Sequence, residues 1–111
     1  MSELTGKHCV PCEGGVAPLD ATAAQHYLQK LSLGWQLDND GKSIRREYAF
    51  RNFYRTMSFV NAVAHIANTE DHHPDLEIGY NYCRIKFITH ALGGLSENDF
   101  ICAAKIDALT N

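Results

Sequence analysis

Apolar and polar positions change rhythm several times along the chain, and each change marks an element. From Asp20 onward, Ala24, Tyr27, Leu28 and Leu31 recur three and four residues apart, the spacing of one helix face. Asp20, or Thr22 with Gln25 as a capping box, starts this helix, and Gly34 ends it. Trp35 and Leu37 then alternate with polar neighbours, Asn39-Asp40-Gly41 signals a tight turn, and Ile44, Arg46, Tyr48 and Phe50 share one face of a second strand. Asn52 is a natural N-cap for a long helix in which Phe53, Met57, Val60, Ala64 and Ala67 line one face, widened by Phe59, Val63 and Ile66. That helix stops near Asp71 or His72, because Pro74 drives His73 out of the α region. Leu76, Ile78 and Tyr80 alternate next, then Cys83, Ile85, Phe87 and Thr89, as the strands of a second hairpin. Gly93-Gly94 makes a loop, Ser96 caps, and Phe100, Ala103 and Ile106, with Cys102 and Leu109 beside them, form a third amphipathic helix.

The order α-β-β-α-β-β-α with two hairpins predicts an α+β fold: a four-stranded antiparallel sheet with its helices packed on one face. Residues 1–18 hold Gly, Pro and small residues without a periodic apolar pattern, and read as an N-terminal tail or arm ahead of a folded domain at 19–111. A chain of 111 residues is one domain, long enough to bury one core without disulfide staples.

Composition narrows the function classes. The longest apolar run, Phe100 to Ala104, is five residues, against the ~20 needed to cross a bilayer. The N-terminus MSELTGKHCVPCEGG has neither a signal peptide's apolar stretch nor a transit peptide's arginines, which predicts a cytoplasmic protein with no membrane partner. Cys83 and Cys102 then read as small core residues, and a disulfide framework is not expected. His8-Cys9-x-x-Cys12 offers three soft ligands, but a structural zinc site would need one from elsewhere, so an inert arm is the preferred reading. A net charge of −3 gives no general attraction to nucleic acid. Lys42, Arg45, Arg46, Arg51 and Arg55 do gather half of the ten basic residues, in a stripe that reads as a solvated face rather than a phosphate track.

The unusual feature is six histidines in a small, slightly acidic chain. His72, His73 and His90 fall at element ends, where rigid structure positions a side chain that still reaches solvent or ligand. The pair follows the C-terminus of the long helix, whose partial negative charge favours imidazolium. In an extended His72-His73-Pro74 segment, successive side chains point to opposite sides, so one ring can move protons while the other orients a ligand. His90 ends a strand that can return beside the pair, making a three-histidine cluster possible; isolated turn histidines are the plain alternative. Adjacent histidines rarely chelate one ion and H-E-x-x-H spacing is absent, so no metal is expected. Nucleophile elbows and Gly-rich nucleotide motifs are also missing. What remains is general acid-base chemistry by histidine on a small substrate, without a redox cofactor. Ser96-x-x-Asp99 reads as a capping box, with Asp99 favoured by the helix dipole whatever its other duties.

The run T-E-D-H-H-P at 69–74, the T-H at 89–90 and the G-L-S-E-N-D at 94–99 resemble the pterin-4a-carbinolamine dehydratases, also called 4a-hydroxytetrahydrobiopterin dehydratases. The resemblance covers roughly residues 19 to 110 and implies the same four-stranded fold, assembled as dimers or tetramers. It implies a pterin pocket lined by His72, His73 and His90, with Asp71, Thr89 and Ala91 adjoining and Asp99 in support. The implied reaction is loss of water from 4a-hydroxytetrahydrobiopterin to give quinonoid dihydropterin. His72 and His90 would be the acid-base residues and His73 an orienting one, with no cofactor. The implied setting is tetrahydrobiopterin recycling beside an aromatic amino acid hydroxylase. One departure stands out: the position four residues before the first histidine, acidic in many members, is Asn68. Family members in animals also serve as a dimerisation cofactor for a homeodomain transcription factor, so a protein-binding module is the alternative, with nucleic-acid binding through the basic stripe behind it.

Overall fold

A computed structural model describes residues 3–11 and 17–110 and bears out the α+β architecture in the expected order. The elements are α1 (Ala21–Leu28), β1 (Gln36–Leu37), β2 (Ile44–Ala49), α2 (Phe53–Glu70), β3 (Asp75–Ile78), β4 (Tyr82–Phe87) and α3 (Glu97–Ala108), with 3-10 helices at Glu3–Gly6 and His90–Leu92. The sheet order is β1-β2-β4-β3, antiparallel throughout, so the two hairpins join through β2 and β4, with Ile44 opposite Phe87 and Tyr48 opposite Cys83. Period-two alternation does the sorting: Ile44, Tyr48, Cys83, Ile85 and Phe87 are buried under the helices, while Arg45, Glu47, Arg84 and Lys86 face out. On that outer face Arg84 reaches across to Glu47 and Glu77. Among the described residues no helix is long and apolar enough to cross a membrane.

Several elements end or turn differently from their apolar rhythm. α1 stops at Leu28 rather than near Gly34, because the Ser32 N–H is drawn to the Asp107 carboxylate at 3.0 Å and the chain leaves the helix axis. β4 stops at Phe87, and His90 opens the second 3-10 helix instead of ending a strand. In α2 the buried face is Thr56, Phe59, Val60, Val63, Ala67 and Glu70, whereas Phe53 and Ala64 are exposed. Phe53 instead stacks on Tyr80 at the surface, ring centroids 6.4 Å apart. Ile78 and Tyr80 are also exposed, since β3 is an edge strand whose hairpin turns at Gly79, where an added Cβ would lie 2.0 Å from the Tyr82 ring.

α3 is buried almost all round, including Asn98, Asp99 and Asp107. Its outer side is covered by the very residues that carry no sequence pattern: Leu4 is fully buried and joins the core, and Lys105 Nζ donates to the Thr5 carbonyl at 3.0 Å. The first eleven residues, as far as they are described, are therefore a packed arm.

Asp107, in the last turn of α3, ties the helix layer to the sheet. Its carboxylate accepts from Trp35 Nε1 (2.8 Å), Tyr48 Oη (2.6 Å), Arg46 Nη1 (2.8 Å) and the Ser32 N–H. Burial, with the hydrogen bond to Asp107, pushes the Tyr48 phenol well above its ordinary value. Arg46 is thereby withdrawn from the basic stripe, and Arg45 is paired with Asp38. Replacing this carboxylate strands two buried donors and a part-buried cation. Asp107→Ala is expected to lower unfolding stability by about 3 kcal/mol in urea denaturation; a loss under about 1 kcal/mol would show that the hub is dispensable.

Candidate active site

The site forms where the end of α2, the end of β4, the start of α3 and the arm converge. α2 is stopped locally. Asp71 adopts the left-handed conformation (φ 52°, ψ 42°), and both its N–H and that of His72 turn back to the Ala67 carbonyl. For a residue with a side chain that conformation costs about 1 kcal/mol, a strain of the kind found at functional sites. Pro74 then holds the next residues extended.

His72 turns inward and His73 outward. The His72 ring lies parallel to Phe87 (centroids 5.8 Å, 5° between planes), is only 12% exposed, and its Nε2 sits 2.6 Å from Asp99 Oδ1. Asp99 is completely buried. Its other oxygen accepts from the Ser96 N–H at 3.0 Å and from Thr89 Oγ1 at 2.8 Å, and Thr89 Oγ1 also meets Ser96 Oγ at 2.7 Å. One carboxylate thus both caps α3 and holds the His72 ring. His73 Nε2 donates to Asn68 Oδ1 at 3.1 Å, so the amide at the departing position still holds a histidine, through a neutral acceptor.

Thr89 bridges to Gly94, and His90 follows it, exposed, at the head of the second 3-10 helix. Gly93 closes that helix at φ 66°, and Gly94 admits Pro18 so closely that a Cβ would lie 2.8 Å from it. Together these elements enclose a cavity of about 660 Å³. Asp71, His72, His73, Thr89, His90 and Ala91 all line it. Asp99 does not; it lies behind the wall, reached through His72 and Thr89.

Sequence reasoning missed the rest of the lining, notably Glu70, Asn98 and the arm residues Cys9, Val10 and Pro11. Glu70, its side chain 3% exposed, accepts the Cys9 N–H at 2.7 Å and His8 Nδ1–H at 2.9 Å, with Lys105 Nζ 3.7 Å away. Burial works to raise its pKa, but the Cys9 N–H, His8 and Lys105 together hold the carboxyl below its ordinary value. The available signal was a carboxylate in the last turn of a helix, where the dipole disfavours it and a donor must compensate. Asn98 gave no such signal. Its side chain mimics a strand partner for Val10, accepting the Val10 N–H (3.1 Å) and donating to its carbonyl (2.6 Å).

Of the possible soft ligands, Cys12 lies outside the described residues, the His8 ring is engaged by Glu70, and the Cys9 thiol is turned to the Asn98 carbonyl. Cys9 Sγ lies 3.6 Å from Cys102 Sγ, and hydrogen bonding to Cys9 with burial pushes the Cys102 thiol far up. Chemically, the site offers an imidazole with one nitrogen fixed on a buried carboxylate, two more exposed imidazoles, and a cavity wide enough for a small ring system.

Comparison with known proteins gives the family of the chain. Residues 17–109 match the family model described as pterin 4 alpha carbinolamine dehydratase. A protein of Legionella pneumophila (strain Corby), named "Putative pterin-4-alpha-carbinolamine dehydratase", is 56% identical over 108 residues, 97% of this chain and 96% of its own. A protein of the same name from Nitrosomonas europaea is 54% identical over 98% of this chain and 95% of its own. Among solved structures, the transcriptional coactivator/pterin dehydratase from Brucella melitensis superposes with a TM-score of 0.80 at 29% identity, over 85% of this chain and 99% of that one. A pterin dehydratase-like RuBisCO assembly factor of the alpha-carboxysome shares the fold at TM-score 0.61 and 24% identity, over 70% of this chain and 90% of that one. By its sequence over nearly the whole length, this chain belongs to the pterin 4 alpha carbinolamine dehydratase family.

Proposed function

We propose that the protein is a hydro-lyase acting on a pterin-4a-carbinolamine, 4a-hydroxytetrahydrobiopterin in a recycling setting. The C4a–O bond breaks and the hydroxyl leaves as water, N5 loses its proton, and a C4a=N5 double bond forms in the quinonoid dihydropterin. No electrons enter or leave, so the reaction calls for no redox cofactor; what it needs is one proton given and one taken.

The observation that carries this reading is the His72–Asp99 pair at the wall of the cavity that His90 also lines. With Nε2–H committed to Asp99, the other ring nitrogen of His72 is the one left to accept the N5 proton, and the carboxylate faces the positive charge the ring then gains. His90, exposed at the cavity and unconstrained in this way, is the donor to the leaving hydroxyl. His73, held by Asn68, orients the ring system with Asp71, Thr89 and Ala91 around it. The family's setting supports a cytoplasmic homodimer or homotetramer working beside an aromatic amino acid hydroxylase.

A second reading, a protein-binding module that needs no catalysis, is favoured by one surface feature. Phe53, Tyr54 and Tyr80 are all exposed, two of them stacked on each other, away from the histidines. The Brucella neighbour is described as both transcriptional coactivator and pterin dehydratase. A stable mixed complex indifferent to His72 and His90 substitution is the outcome that would select it.

Dehydration of enzymically generated carbinolamine tests the first reading directly. His72→Ala and His90→Ala should each lower the rate by about 10²-fold or more, and near-wild-type rates in both would overturn it. Asp99→Asn, acting through ring position, should lower kcat about tenfold or more with little change in KM. It should also move the pH profile of kcat; a variant that loses stability but keeps that profile would make Asp99 a cap alone. His73→Ala is expected to raise KM with kcat nearly unchanged, the mark of a binding residue; an equal fall in kcat would assign it to the proton transfers.

A further inference from the structure

We infer that residues 9–11 of the N-terminal arm are a working wall of the pterin pocket and set how tightly the substrate is held. This deepens the dehydratase reading and rests on it. Cys9, Val10 and Pro11 border the same cavity as His72, His73 and His90, although they precede the region matched by the family model, residues 17–109. The Legionella relative aligns over 97% of the chain, so its alignment runs through the arm.

The arm is fastened at several points. Leu4 is fully buried, Lys7 pairs with Glu97 at 2.8 Å, and Lys105 holds the Thr5 carbonyl. Close to the cavity, Glu70 takes the Cys9 N–H and His8, while Asn98 holds both backbone polar groups of Val10. These two anchors themselves line the cavity, so site and arm are built together. Without the arm, a carboxylate buried at a helix C-terminus would lose its principal donors.

Chemistry explains what such a wall contributes. A flat bicyclic ring binds with its polar edge on a few placed groups and its faces on apolar surface. The histidines and Asp71 supply polar groups, and the arm supplies Val10 and Pro11. Val10 is 65% exposed, an apolar side chain open at the cavity that a bound ring would cover.

Two substitutions separate contact from anchoring. Val10→Ser removes apolar wall from a surface position without touching the Asn98 bonds, and Asn98→Ala releases the wall. For both, KM for the carbinolamine and Kd for an unreactive oxidised pterin should rise about fivefold or more, with kcat within about twofold. In the wild type, saturating oxidised pterin should slow alkylation of Cys9 by iodoacetamide, read at that residue by mass spectrometry. Unchanged KM and Kd in both variants, or Cys9 alkylation indifferent to pterin, would overturn the wall and leave the arm a cover for α3, while the dehydratase reading stands. Wild-type protein that neither dehydrates carbinolamine nor binds the pterin overturns the dehydratase reading itself, and the wall with it.

Discussion

A carboxylate removed from water must find donors on every side, and the fully buried Asp99 finds them on three different segments. The Ser96 N–H belongs to the start of α3, Thr89 to the loop after β4, and His72 to the segment after α2. None of the three can shift without stranding the charge, so the requirement to satisfy one side chain aligns the elements that border the cavity. The same geometry fixes the His72 ring, which lies parallel to and offset from Phe87 and is held at Nε2. Site preorganisation here is a consequence of solvation, since the protein supplies in fixed form the donors that water would have supplied in mobile form.

Two other buried acids follow the same logic under a harder condition. Asp99 sits at a helix N-terminus, where the dipole favours it, but Glu70 and Asp107 sit in the last turns of α2 and α3, where it does not. Each is accordingly surrounded by donors from distant parts of the chain. Asp107 gathers Ser32, Trp35, Arg46 and Tyr48, closing the helix layer onto the sheet, and Glu70 gathers His8, the Cys9 N–H and Lys105, closing the arm onto the site. The unfavourable placements are what recruit long-range partners, so the three acids serve as joints between segments that apolar packing alone would leave free to slide.

This division explains what could be read from the chain. Strand alternation at Ile44 to Tyr48 and Cys83 to Phe87 is a local signal and placed the sheet faces correctly. Stop signals are local as well: Pro74 after the histidine pair, Gly93 after His90, and Ser96 before α3. Because the site is made of element ends, residues recognised by their stop signals converge there. What escaped depends on partners far along the chain. The arm has no periodicity because it follows the surface of α3 instead of forming a long element of its own. Leu4 alone gives no pattern, and Asn98 bonds Val10 from 88 residues away. The buried face of α2 includes Thr56 and Glu70, polar residues whose burial makes sense only once the Tyr80 carbonyl and the arm are in place. α1 ended early for a similar reason, a backbone N–H claimed by Asp107.

The two helix ends that meet at the site also matter electrically. α2 presents its C-terminus, with its partial negative charge, just before His72, and α3 presents its N-terminus, with its partial positive charge, at Asp99. A cation is favoured at the first end and an anion at the second, so the pair of dipoles matches an imidazolium facing a carboxylate. That is the charge distribution His72 and Asp99 would reach when the ring takes up a proton, and it would form in a part-buried setting where fixed dipoles count for more than in water. The sharp left-handed turn at Asp71 places the ring at the end of one helix while keeping it against the start of the other. The backbone strain at Asp71 is thus tied to the contact that His72 and Asp99 make between the two helix ends.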